Sequence, residues 1–233
     1  GTGVWQPFMP ATGGRYDTGI IPAWYVYWMY TWDPNMQDMA AAQAGVAGHV
    51  PIHYREPASS AREFEPYTRS AAAGRVISID AGPTFFPYGA PPFHRSETAR
   101  DEWAVKVGPI SQHPWSPDAA HQPGMAYLPY ALSGDWYLLE ELHFWSAAWL
   151  STGNPGVCSW CRLGSLGVLT GEIRGQAWTF RSLAHAAVMS PDGTPEKTYF
   201  HAKLRNNIAL REGRYNVKNG AFYEPAPDCA APC

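Results

Sequence analysis

The chain has 233 residues, long enough to bury a sizeable core and to form one or two domains. Hydrophobic residues make up 45% and charged residues only 16%, with 11 Trp and 13 Tyr, which excludes an aromatic-poor disordered chain. The net charge of -3, with Arg far outnumbering Lys but no basic patch, argues against nucleic acid as a partner.

The longest apolar stretch, Gly19 to Met29, is too short and too rich in Tyr and Trp for a membrane span, so no transmembrane segment is expected. The chain begins without Met or a basic-then-apolar leader, which points to a chain that is processed, trimmed or taken from a longer one. Low charge has a second implication: part of the surface is expected to face other protein.

Three segments then share one grammar, a helical stretch, a short break containing Asp, and a second helical stretch. The first runs from Pro22 to Tyr30, breaks at Thr31-Trp32-Asp33-Pro34, and resumes from Asn35 to about Val50. The second runs from Pro123 to Leu132, breaks at Ser133-Gly134-Asp135, and resumes from Trp136 to Leu150. The third runs from Gly175 to Met189, breaks at Ser190-Pro191-Asp192-Gly193, and resumes from Pro195 to Leu210. Each break joins a cap former to Gly or Pro, the combination that stops one helix and starts the next.

Apolar stripes support the helices. Leu138, Leu142, Trp145 and Trp149 recur at three- and four-residue steps, widened by Leu139 and Leu150, while Tyr199, Leu204 and Ile208 are expected to face Trp178, Leu183 and Ala187. Residues 51–117 carry no such period. They form a long irregular insertion, with modest strand candidates at Arg75–Ile79 and Trp103–Val107; Phe85, Phe86, Tyr88 and Phe93 suggest that it packs on something, including other protein subunits.

The four cysteines form two close pairs, Cys158-Ser-Trp-Cys161 and Cys229-Ala-Ala-Pro-Cys233. Disulfides, within or across the pairs, are expected, and with them an extracytoplasmic location, periplasmic or secreted. A zinc knuckle would need a more compact arrangement, and a redox Cys-x-x-Cys would open a helix after a strand. The histidines are not read as a metal signature, and there is no Gly-rich phosphate loop. No metal and no cofactor are expected.

The segments "GDWYLLEELHFW" and "IPAWYVYWMYTWDP", with their repeated Tyr-rich first helix and Leu-, Phe- and Trp-rich second helix, resemble the α/α toroid of six-hairpin glycosidases and of toroidal polysaccharide lyases. The likeness covers roughly residues 20–50 and 118–210 and is one of architecture; no catalytic motif is carried over residue by residue. It implies a mostly α fold of antiparallel helical hairpins, a partial toroid-like array. A closed toroid needs about twelve helices, so three hairpins mean a half toroid, a fragment of a larger toroid, or a simple helical array. Residues 1–233 accordingly read as a single helical-hairpin domain or such a fragment.

Hairpin geometry puts the start of each first helix and the end of each second helix on one side. That side would collect His53, Tyr54 and Arg55, then Asp118, His121 and Gln122, then Arg174 and Gln176, with Asn206 and Asn207 approaching and Trp178 supplying an aromatic face. His121 is the preferred general base, with His53 a further candidate. Tyr54 becomes a proton donor if Arg lowers its pKa, and Arg55, Gln122, Arg174 and Gln176 would orient carboxylates and hydroxyls of a saccharide. Asp118 with Glu141 would suit glycoside hydrolysis at the right separation.

Each also has a structural reading: Asp118 as a helix cap, the histidines as local hydrogen bonders, Glu140 and Glu141 as favourable charges early in a helix. The functional expectation is cleavage of a polysaccharide or oligosaccharide by hydrolysis or elimination. The alternative is a non-catalytic structural subunit or a protein- or sugar-binding module of a larger assembly.

Overall fold

A computed structural model describes residues 16–50, 52–55, 74–79, 119–153, 167, 169 and 173–215. Among them are six α-helices: α1 (Ala23–Thr31), α2 (Pro34–Gly45), α3 (Tyr127–Ser133), α4 (Trp136–Gly153), α5 (Ile173–Met189) and α6 (Pro195–Tyr215). They pack as α1 on α2, α3 on α4 and α5 on α6, with α4 also against α5. The mostly helical fold of paired helices matches the hairpins read from the sequence.

The breaks form for local reasons. Helix α1 stops at Trp32, whose N–H donates to the Trp28 carbonyl, and Asp33 caps α2 by accepting from the Asn35 N–H at 2.9 Å, with Pro34 at the first helical position. Helix α3 stops at left-handed Gly134, and Asp135 accepts from the Tyr137 N–H at 3.0 Å. After α5, Gly193 turns the chain at φ 80 and Thr194 accepts from the Lys197 N–H at 3.2 Å. Antiparallel pairing of α5 and α6 shows in their ends: Lys197 Nζ donates to the Val188 carbonyl, while Arg211 donates to Gln176.

Helix α4 departs from a one-sided stripe. Every residue from Glu141 to Leu150 is buried, because α3, α5 and the loop segments surround this helix rather than cover one face. Trp149, Leu150, Leu183, Tyr199 and Phe200 join Ile52, Val76, Ile77 and Ile79 in one core. Ile208, expected to pack, is exposed: α6 turns Tyr199 and Leu204 to the core and presents Ile208 to the outside.

The insertion contributes two described pieces to that core. Arg75–Ile79 pairs with residues 52–55 through a single antiparallel bridge, Arg55 to Val76, and the Tyr199 hydroxyl accepts from the Ile79 N–H at 3.0 Å. The strand candidate at 103–107 and the aromatic cluster at 85–93 lie outside the described residues.

The four cysteines for which disulfides are expected, Cys158, Cys161, Cys229 and Cys233, lie outside the described residues. None of the described helices is long and apolar enough to cross a membrane.

Candidate functional site

Residues 52–55 run past the first turns of α4 with alternating exposure: Ile52 is buried, His53 and Arg55 face outward, and Tyr54 is half-buried. Alternation is what an extended segment imposes, and burial of Ile52 sets its phase. His53 Nε2 meets Glu141 Oε1 at 2.8 Å, and Arg55 Nη2 donates to Glu140 Oε1 at 2.6 Å while Nη1 donates to the Gly74 carbonyl. Both basic side chains lie on Phe144, one helical turn further on: the His53 ring meets it edge-on at 4.7 Å, and the Arg55 guanidinium sits 4.8 Å from its centroid.

The His53–Glu141 pair is asymmetric. The Glu141 side chain is 3% exposed and that of His53 31%, so a buried carboxylate holds a ring that reaches solvent. Glu141 Oε2 is buried without a hydrogen bond, which directs the carboxylate's interaction to His53. In the neutral ring, an Nε2–H donated to Glu141 leaves the lone pair on Nδ1. That is the tautomer a general base needs. Burial pushes the neighbouring Tyr54 phenol above its ordinary pKa, so it stays protonated near neutral pH, and Arg55 is already engaged by Glu140.

One turn back on α4, the Tyr137 hydroxyl donates to the Gly45 carbonyl at 3.1 Å and accepts from the Gly48 N–H at 2.9 Å. Gly48 is small for a reason. A Cβ there would stand 2.6 Å from Tyr137 Oη and 3.3 Å from Glu141 Oε1. Burial, then the Glu141 charge, raises the Tyr137 phenol, which remains a donor.

Tyr137 also borders an open groove of about 430 Å³ between the first two hairpins. Trp28, Gln37 and Gly45 contribute one wall, and Leu132, Asp135 and Tyr137 the other. The lining combines aromatic residues with a carboxamide, Gln37, and a carboxylate, Asp135. Tyr30, Trp32 and Trp136 are 84%, 77% and 65% exposed.

The remaining sequence candidates gather elsewhere. His121 and Gln122 are buried, and Gln122 Nε2 donates to Thr179 Oγ1 at 2.7 Å. Arg181 draws the chain around them, donating to the Gly19, Gln122 and Pro123 carbonyls, with its guanidinium 5.1 Å from the Trp178 ring centroid. Burial lowers Arg181 to about 10 against the opposing pull of Asp17. This is a clamp that fastens residues 16–20 and 121–124 to α5. Arg174 is exposed on the first turn of α5, Gln176 accepts from Arg211 at 3.2 Å, and Asp118 lies outside the described residues. Asn207, entirely buried, accepts from the Leu169 N–H and donates to the Gly167 carbonyl.

The candidates therefore form two groups. His143 on α4 meets Ser190, at the far end of α5, at 2.8 Å, so the early turns of α4 stand beside the end of α5. Thr179, the partner of Gln122, precedes Ser190 by eleven residues, about 16 Å along the helix. His53, Tyr54 and Arg55 belong to one end; His121, Gln122, Arg174, Gln176 and Trp178 belong to the other.

Sequence reasoning passed over Gly48 and Tyr137, read Glu140 as a dipole partner, and weighed Glu141 as a dipole partner or as a carboxylate paired with Asp118, not as the partner of His53. The four-residue step from Tyr137 to Glu141, placing both on one helix face, was the available signal. Among the described residues no group of three or more His, Cys, Asp or Glu is arranged to hold a metal. No family model matches the chain, nor does any curated protein or solved structure.

Proposed function

We propose that the protein is a carbohydrate-active enzyme, a glycoside hydrolase or polysaccharide lyase built on a toroid-like helical array. In this reading it binds its substrate in the groove between the first two hairpins and uses His53, held by Glu141, for proton transfer. The carrying observation is the solvent-reaching imidazole anchored by a buried carboxylate, one helical turn from an aromatic groove. Aromatic faces suit the C–H faces of a sugar ring, and Gln37 and Asp135 suit its hydroxyls. Glu141 fixes the ring, and Nδ1 takes a proton from a water or from a ring carbon, the first step of hydrolysis or elimination respectively. His121 is set aside for this role because its side chain is buried.

The test is turnover of soluble polysaccharides, read as reducing ends for hydrolysis and as ultraviolet absorbance of the unsaturated product for elimination. His53→Ala should lower the rate about 10²- to 10⁴-fold with the fold intact, as expected for a positioned acid or base. A variant as active as the parent would remove His53 from the mechanism.

A second reading, a sugar-binding module or structural subunit without turnover, is favoured by the exposed Tyr30, Trp32 and Trp136. Saccharide binding by a parent chain that cleaves none of the polymers would select it.

A further inference from the structure

The first two hairpins turn with the same chemistry. In the second, the Ser133 hydroxyl donates to the Pro129 carbonyl at 2.8 Å, the Asp135 N–H donates to Ser133 Oγ at 3.1 Å, and Gly134 between them adopts φ 68, ψ 16. In the first, the Thr31 hydroxyl donates to the Tyr27 carbonyl at 2.8 Å, the Asp33 N–H donates to Thr31 Oγ1 at 3.3 Å, and the residue between them adopts φ 54, ψ 23. That residue is Trp32.

It is the one non-glycine at positive φ among the described residues. A bulky L-residue is strained there, and glycine is the residue that relieves it, as its own counterpart Gly134 illustrates. Packing does not compensate, since Trp32 is 77% exposed. Its described ring contact is an edge-on approach to Trp28, 6.1 Å between centroids at 67°. Trp28 lines the groove. The strained turn thus holds an indole in solvent, immediately beyond the groove wall.

We infer that Trp32 is a ligand-binding residue, an aromatic platform on which a saccharide seated in the groove stacks as it leaves the Trp28 wall. This rests on the saccharide reading above and adds to it a specific residue and a substrate long enough to extend past the groove. Strain at a site that gains nothing for folding is a pointer to use.

The experiment compares Trp32→Gly and Trp32→Ala in the full chain. Both remove the ring, but only glycine relieves the backbone. Trp32→Gly should melt about 2–4 °C above Trp32→Ala and no lower than the parent. Both should bind oligosaccharides of β-glucan, xylan, mannan or polygalacturonate about 5- to 10-fold more weakly than the parent, by calorimetric titration of whichever the parent binds.

Parent-like affinity in both variants would overturn the assignment. So would melting temperatures for both well below the parent's, because the ring would then serve the fold. If the parent binds none of the four sugars, the groove reading fails and the ligand role fails with it, while the difference between the glycine and alanine variants still reports the strain.

Discussion

Gly48→Ala probes the junction between the first hairpin and α4. The new Cβ would stand 2.6 Å from Tyr137 Oη, so the phenol must retreat about 0.8 Å to reach ordinary contact at 3.4 Å. A movement of that size breaks the hydrogen bonds to the Gly48 N–H and the Gly45 carbonyl, now 2.9 and 3.1 Å. Two bonds at about 0.5–1.5 kcal/mol each amount to about 1–3 kcal/mol. The alanine recovers about 0.4–1 kcal/mol by restricting the unfolded chain, because Gly48 is not at positive φ. The expected net loss is roughly 1–2 kcal/mol.

Tyr137→Phe alone should cost about 1–3 kcal/mol by removing the same bonds. In the double variant the hydroxyl that obstructs the Cβ is gone, so adding Ala costs nothing further. Urea denaturation of the four chains, with equal m-values, should therefore give a coupling of about 1–2 kcal/mol in favour of the double variant. Additive losses, or a Gly48→Ala chain as stable as the parent, would refute the steric reasoning.

Burial lowers His143 to about 4, against the pull of Glu196 and Glu140, and lowers His185 to about 3, helped by the nearby Arg181 charge. Both unfolded rings bind protons near pH 6.5, so the unfolded state binds more protons below that pH and stability is lost as pH falls from about 6.5 toward 4. For His143 the loss is on the order of 2 kcal/mol by pH 5, and His143→Asn should remove that part of the loss and leave the part due to His185, measured by urea denaturation at pH 7, 6 and 5. A parent chain equally stable at pH 7 and 5 would contradict this. Asn207→Ala strands the Leu169 N–H and the Gly167 carbonyl inside the core and should destabilise by about 2–4 kcal/mol, whereas a loss below 1 kcal/mol would show that water replaces the amide. Glu141→Gln should slow any turnover that depends on His53 while leaving saccharide affinity in the groove near the parent's, read as a separation of kcat from KM; equal kcat would detach Glu141 from the chemistry.

The helical hairpins were legible in the residues alone because helix stops and starts are local events. Asp33, Asp135 and Thr194 cap the helix that follows using atoms two or three residues away, and the adjacent Pro and Gly set the backbone without help from the rest of the chain. Leu138, Leu142, Trp145 and Trp149 likewise announced their burial by spacing. How the hairpins lie against one another was not local. The Tyr137 contact with Gly45 and Gly48, the pairing of His53 and Arg55 with Glu141 and Glu140, and the outward turn of Ile208 join or separate residues that no sequence period relates. Two ends of one helix pair look equivalent in a pattern of polar residues. Only packing of α5 back along α4 assigned His53 to one end and Gln122 to the other, because side-chain volumes and buried polar partners, rather than local propensity, decide which faces meet.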